Sequence, residues 1–106
     1  MRIIGGRHRG TKLADLDGDK TRPTADRVRE NLFNILAGGN YGEQLRDAHV
    51  LDLFSGTGAL GLEALSRGAR TACFVEKDHN ALSVIRANIA RLKQQNSCLV
   101  IAGNAL

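Results

Sequence analysis

Val50-Leu51-Asp52-Leu53-Phe54-Ser55-Gly56-Thr57-Gly58-Ala59-Leu60-Gly61 is the stretch that decides the fold. Its first five residues form a short, mostly apolar run, the pattern of a strand buried in a parallel sheet. Ser55-Gly56-Thr57-Gly58 then turns the chain, and Ala59–Arg67 reads as a helix closed by Gly68. Thr71–Val75 predicts a second strand, ending at Glu76. Asp78 is placed to cap a longer helix whose Leu82, Ile85, Ile89 and Leu92 share one face. Cys98–Ala102 predicts a third strand. The order β-α-β-α-β, with crossovers long enough for parallel strands, gives an α/β class: half of a doubly wound, mostly parallel sheet.

Upstream of this unit, Met1–Ile4 and Thr11–Ala14 flank a turn rich in Gly and Arg, which predicts a small hairpin. Residues 15–23 are polar and end at Pro23. A helix follows, with Thr24 as its expected N-cap and Asp26 in its first turn. Val28, Leu32, Ile35 and Leu36 supply an apolar face, and Gly38-Gly39 stops the helix. Arg27, Asn31 and Asn34 lie together on another face, open to a ligand or to water.

The chain has 106 residues, 42% of them hydrophobic and 25% charged. That length and balance describe a single globular unit rather than a disordered chain. No apolar run approaches the ~20 residues of a membrane span. The opening Met1-Arg2-Ile3-Ile4-Gly5-Gly6 has no apolar signal core, which argues against secretion and for a cytoplasmic protein. Cys73 and Cys98 are accordingly read as buried free thiols. The net charge is only +4, but residues 1–12 hold Arg2, Arg7, Arg9 and Lys12 with no acid. Arg22, Arg27 and Arg29 follow. Such an arm suits a polyanion such as nucleic acid, or it is a solvated surface that keeps the chain soluble.

The glycine turn is the candidate ligand site. Gly56-Thr57-Gly58-Ala59-Leu60-Gly61 matches the G-x-G-x-x-G fingerprint, in the strand-turn-helix context it requires, and Glu76 stands near the distance of a ribose-binding acid. Asp52 separates the possible ligands. A carboxylate at a strand end beside the turn repels a pyrophosphate, which prefers bare amides at a helix N-terminus. It suits S-adenosylmethionine, whose ammonium it can pair with while Glu76 accepts both ribose hydroxyls. The plainer alternatives are a strand-end acid satisfied by backbone amides at Asp52 and a surface acid at Glu76.

Two separated segments carry a specific resemblance. One is Arg22-Pro23-Thr24-Ala25-Asp26-Arg27-Val28-Arg29-Glu30-Asn31-Leu32-Phe33-Asn34-Ile35-Leu36; the other runs from Leu51 through Gly61 to Ala69. With Arg2-Ile3-Ile4-Gly5-Gly6 and Gly10-Thr11-Lys12-Leu13, they make the sequence closely similar to the RsmD family over essentially its whole length. These are bacterial class I S-adenosylmethionine-dependent methyltransferases that act on a guanine N2 amine of 16S ribosomal RNA in the small subunit. The resemblance implies a Rossmann-like fold. It makes Asp52, Gly56 and Gly58 the cofactor turn, Glu76 the ribose ligand, Thr24 part of the segment beside the cofactor, and Asn104 an acceptor for the adenine amine or a plain turn residue. Arg7, Arg9, Lys12, Arg22 and Arg27 become candidate RNA contacts. Residues 1–23 then form a basic arm, and 24–106 the N-terminal part of the cofactor-binding domain.

The family's catalytic signature, an Asp or Asn followed by Pro-Pro and an aromatic, cannot occur here, because Pro23 is the one proline. The guanine amine is a poor nucleophile whose lone pair is delocalised. Acceptors must orient its hydrogens, and an aromatic must hold the base in line. Three strands also fall short of the usual five or more. The sequence is therefore expected to be the N-terminal part of a longer, monomeric enzyme, inactive by itself and with an exposed edge at its first strand. His8, His49 and His79 lack ligand spacing, so no metal is expected. No aromatic is interleaved with the basic arm, which favours phosphate contact over base stacking. An NAD-binding domain and a non-catalytic RNA-binding fragment are the competing expectations.

Overall fold

The computed structural model describes residues 1–16, 23–37, 42–53 and 55–105, with the side chains of all of these except 23–26, 37, 42 and 43. Helix α1 (Pro23–Ala37) and the single turn α2 (Gly42–Leu45) precede a β-α-β-α-β unit. That unit is β1 (His49–Leu53), α3 (Ala59–Ser66), β2 (Thr71–Glu76), α4 (His79–Arg91) and β3 (Cys98–Ala102). The strands pair in parallel in the order β1-β2-β3, with Asp52 opposite Phe74 and Phe74 opposite Val100. This is the predicted α/β architecture, with each strand within one residue of its expected bounds. Phe54 and the segments 17–22 and 38–41 lie outside the described residues, and with them Arg22 and the glycine pair expected to end α1.

Both crossover helices pack on one face of the sheet. Leu62 and Leu65 of α3 and Ile85 and Ile89 of α4 close over Ala72 and Phe74, each at most 5% exposed. The expected stripe on α4 is buried throughout, and Asp78 caps that helix, its carboxylate accepting from the Ala81 amide at 2.9 Å. The other face carries Leu51, Leu53, Leu99 and Ile101, all at least 45% exposed. Cys73 stands opposite Leu99 and Cys98 opposite Ala72, so the two thiols point to opposite faces and stay free. Both are half-buried rather than buried.

Two expectations for α1 are corrected. Thr24 is not the N-cap, because the helix already includes Pro23; proline's fixed φ and missing N–H suit the first helical position. The apolar face is also rotated. Val28 and Ile35 are each 62% exposed, while Arg29 and Phe33 are buried. Arg29 turns inward because a counter-charge waits there, and one turn on Phe33 follows it into the core.

That counter-charge is Glu63, on α3 and fully buried. Its Oε1 accepts from the Ile4 amide at 3.0 Å and stands 3.5 Å from Arg29 Nε. Its Oε2 accepts from the Gly5 amide at 2.9 Å and from Arg67 Nε at 2.8 Å. Arg29 in turn donates to the Arg2 carbonyl at 2.6 Å. The N-terminal segment is thus tied to α3 and α1 at one point. It forms the predicted hairpin only as a single antiparallel bridge, Arg2 to Lys12, and it drives Ile3 and Leu13 into the common core. Asn88, also fully buried, closes the far end: its amide accepts from Ala14 N and donates to the Ala14 and Thr57 carbonyls.

Removing one partner of a buried ion pair strands the others without water or counter-charge. Glu63→Ala is predicted to cost about 3–5 kcal/mol in urea unfolding. A loss under about 1 kcal/mol would mean that the network contributes no more than a surface pair does.

Candidate functional site

The C-terminal ends of the strands hold the site, where ligands of open α/β sheets bind. β1 delivers Asp52, and β2 delivers Glu76. Between them the chain turns through Gly56 (φ 57°) and Gly58 (φ 82°), a left-handed conformation that side-chain-bearing residues rarely adopt. A Cβ placed on Gly56 would meet nothing within 4 Å, so the space over the turn is open to a ligand. Gly61 serves a different purpose. A Cβ there would lie 2.4 Å from Phe74 Cε1, so glycine lets α3 sit directly on β2.

The turn is braced from below. Ser55 is buried, and its hydroxyl donates to the Asp52 carbonyl at 2.6 Å. The Ser55 amide donates to the Val75 carbonyl at 3.1 Å, fastening the turn to β2. Asn88 holds the Thr57 carbonyl at 3.0 Å. Sequence patterning missed these braces and Glu63. Asn88 does stand on the buried stripe of α4, and Glu63 in the middle of an apolar helix; polar residues in those places are the signal that was there.

The two carboxylates sit in opposite electrostatic settings. Asp52 is 7% exposed, and the Gly61 amide donates to its Oδ2 at 3.2 Å. Burial pushes its pKa up to about 6, opposed by the Gly61 N–H and assisted by the negative charge of Glu76. Glu76 is held ionised: the amides of Asp78 (3.0 Å), Gly56 (2.8 Å) and Lys77 (3.1 Å) all donate to it and lower its pKa. Such a pair selects a ligand with a cation for Asp52 and hydroxyl donors for Glu76.

The structure sorts the remaining candidates. Asn104 is brought to Glu76, both lining a cavity of about 90 Å³ beyond β2 and β3. Thr24 lies in the first turn of α1, and its side chain is outside the described set. Arg9 and Arg27 line one cavity. Arg7 lies elsewhere, donating to Gln94 Oε1 at 3.3 Å, and Lys12 stands across the bridge from Arg2. Among the described residues, no three His, Cys, Asp or Glu side chains converge as metal ligands, and no helix is long and apolar enough to cross a membrane.

The Asp52 pKa makes a prediction about stability. A carboxyl whose folded pKa exceeds its unfolded value binds its proton more tightly in the fold, so stability is lost as pH rises from about 4 through about 6. Asp52→Asn keeps the acceptor for Gly61 and removes the buried charge. It is predicted to stabilise the ligand-free chain at neutral pH, by up to about 3 kcal/mol, and to flatten its stability between about pH 4 and 6. Urea titrations across that range check this; a variant less stable than the parent at neutral pH would contradict it.

Comparison with known proteins fits this geometry. The sequence is 48% identical over all 106 residues to ribosomal RNA small subunit methyltransferase D of Escherichia coli strain K12, and covers 50% of that relative. The solved structure of the yhhF protein of Escherichia coli superposes with a TM-score of 0.81 at 45% identity, over 99% of this chain and 53% of that one. The C-terminal domain of precorrin-6Y C5,15-methyltransferase from Rhodobacter capsulatus superposes with a TM-score of 0.68 at 22% identity, over 88% of this chain and 45% of that one, a likeness of fold alone. The three-stranded unit is therefore part of a Rossmann-like, class I methyltransferase fold, and the chain spans about half the length of the curated relatives it matches. The family described as Conserved hypothetical protein 95 matches residues 1–106, so no part of the sequence falls outside it, and the chain belongs to that family, the RsmD family.

Proposed function

We propose that this chain forms the cofactor seat of a methyltransferase that uses S-adenosylmethionine to methylate the N2 amine of a guanine in 16S ribosomal RNA. The observation that carries the reading is the pair of unlike carboxylates around an open glycine turn, in a chain of this family. When bound, the cofactor supplies an electrophilic methyl group on a sulfonium. The chain's own residues fit it. Asp52 supplies the anion for the ammonium, and Glu76 keeps one acceptor site, on Oε1, for a ribose hydroxyl after its three amide contacts. Gly56 leaves room above the turn, Gly58 lets the backbone turn against Ile85 and Phe74, and Asn104 stands beside Glu76 for the adenine amine.

A dinucleotide fits less well. The Gly56 amide, one of those a pyrophosphate would take, already donates to Glu76. Asp52 would add a second negative charge against the phosphates. The basic residues Arg7, Arg9, Lys12, Arg22 and Arg27 are proposed to meet the RNA through its phosphates. The groups that orient the guanine amine are proposed to lie outside these 106 residues. Thr24 is proposed to pack beside the cofactor, and the whole protein to act as a cytoplasmic monomer without a metal.

Calorimetry with S-adenosylhomocysteine and NADH tests the cofactor reading. S-adenosylhomocysteine is predicted to bind and NADH not to. Asp52→Ala should weaken binding by about ten- to a hundredfold, the worth of a charge-assisted contact. Because the ammonium selects ionised Asp52, affinity should rise about tenfold per pH unit below about pH 6 and level off above it. Unchanged affinity in Asp52→Ala, or equal binding of NADH, would overturn the assignment.

A further inference from the structure

Three arginines that are far apart in sequence meet at one open cavity of about 510 Å³. Arg2 comes from the first arm of the hairpin, Arg9 from its turn, and Arg27 from the second turn of α1. All three are exposed, and among the described residues Glu30 is the one acid lining the cavity. Among the described residues no aromatic side chain lines it, so they offer nothing for a base to stack on. Its walls are set by buried contacts. Arg29 holds the Arg2 carbonyl, Glu63 holds the Ile4 amide, and Gly10 N donates to the Ile3 carbonyl at 2.8 Å. The arginines therefore project from fixed backbone and lose only side-chain freedom on binding.

The hairpin arm that carries Arg2 begins against the glycine turn. The Thr57 hydroxyl donates to the Met1 thioether at 3.8 Å, so Arg2 directly follows a residue that touches the turn. Lys12, opposite Arg2 across the bridge, adds charge on the same side.

We propose that Arg2, Arg9 and Arg27 form a seat for an RNA phosphodiester, placing the backbone of the substrate beside the glycine turn. This rests on the RNA-directed reading above, and it adds Arg2 to the basic set and gives three of its members a common ligand. Guanidinium forks match phosphate oxygens bidentately, and three cations against one carboxylate favour an anion. A cavity of this size admits a nucleotide unit. Without a ring to stack on, the contact reads the backbone and not the base, so it positions the RNA without selecting its sequence.

The test measures binding of a fluorescently labelled single-stranded RNA to the chain by anisotropy over a series of salt concentrations. A triple Arg2→Ala, Arg9→Ala, Arg27→Ala variant should bind more weakly, and its plot of log K against log salt should flatten by about two, near 0.7 for each lost phosphate contact. The Arg→Lys triple should keep the slope, since charge sets it, which separates lost contacts from lost folding. S-adenosylhomocysteine affinity should be the same in all, and Arg70→Ala, in an exposed pair with Asp47 at the start of β2, should change neither readout. If the parent chain binds RNA and the alanine triple keeps its slope, the seat is refuted while the RNA-directed reading stands. If the parent chain binds no RNA, both fall. Arginine-dependent binding to phosphatidylglycerol vesicles, with RNA binding unaffected by the triple variant, would also overturn the seat in favour of a lipid surface.

Discussion

A single buried carboxylate organises the N-terminal third of this chain. Glu63 is fully enclosed and spends its two oxygens on two backbone amides and two arginines. An isolated ion there would be costly, so the hairpin, α1 and α3 must all be in place before the group is satisfied. The pairing also sets directions. It pulls Arg29 inward and rotates α1, and it leaves Arg67 to stack over the Phe33 ring at 5.3 Å. The hairpin is thereby joined to the core, with Ile3 and Leu13 among the core residues.

Helix α3 meets both the hairpin and the glycine turn. One side receives Glu63's partners from the hairpin. Its first turns carry Gly58 and Gly61, against Phe74 and the Asp52 carboxylate. The glycine turn leads into the start of α3, and the hairpin that carries Arg2 and Arg9 is tied to the middle of the same helix through Glu63. Asp52 at the turn is a buried carboxyl with no cation beside it among the described residues, its pKa pushed up to about 6 by burial. Sites of function commonly hold such groups, since a ligand's charge relieves what the fold leaves unrelieved.

The strands, the turn and α4 were legible in the sequence because each carries its own local signal. Parallel strands read as continuous apolar runs, glycines punctuate the turn, and Asp78 caps its helix three residues from the amide it accepts. Asp52, Gly56, Gly58 and Glu76 were legible for the same reason: they fall within one β-α-β unit at fixed spacing. α1 was read on the wrong face because periodicity treats a charged residue as outward, and nothing local announces that Arg29 meets Glu63 across 34 positions. α2, four residues long, is too short for any period to show. The grouping of Arg2, Arg9 and Arg27 exists only once the hairpin has docked, and the brace from Asn88 to Thr57 only once α4 has packed beside the turn.

Backbone amide shifts of isotopically labelled chain, followed by NMR during titration with S-adenosylhomocysteine at neutral pH, test the central claim most directly. The cofactor seat predicts saturable shifts at Gly56, Gly58, Glu76 and Lys77, with the Ile4 and Gly5 amides on Glu63 left in place. Saturation with no change at Gly56 and Glu76, or shifts clustered away from the turn, would contradict it.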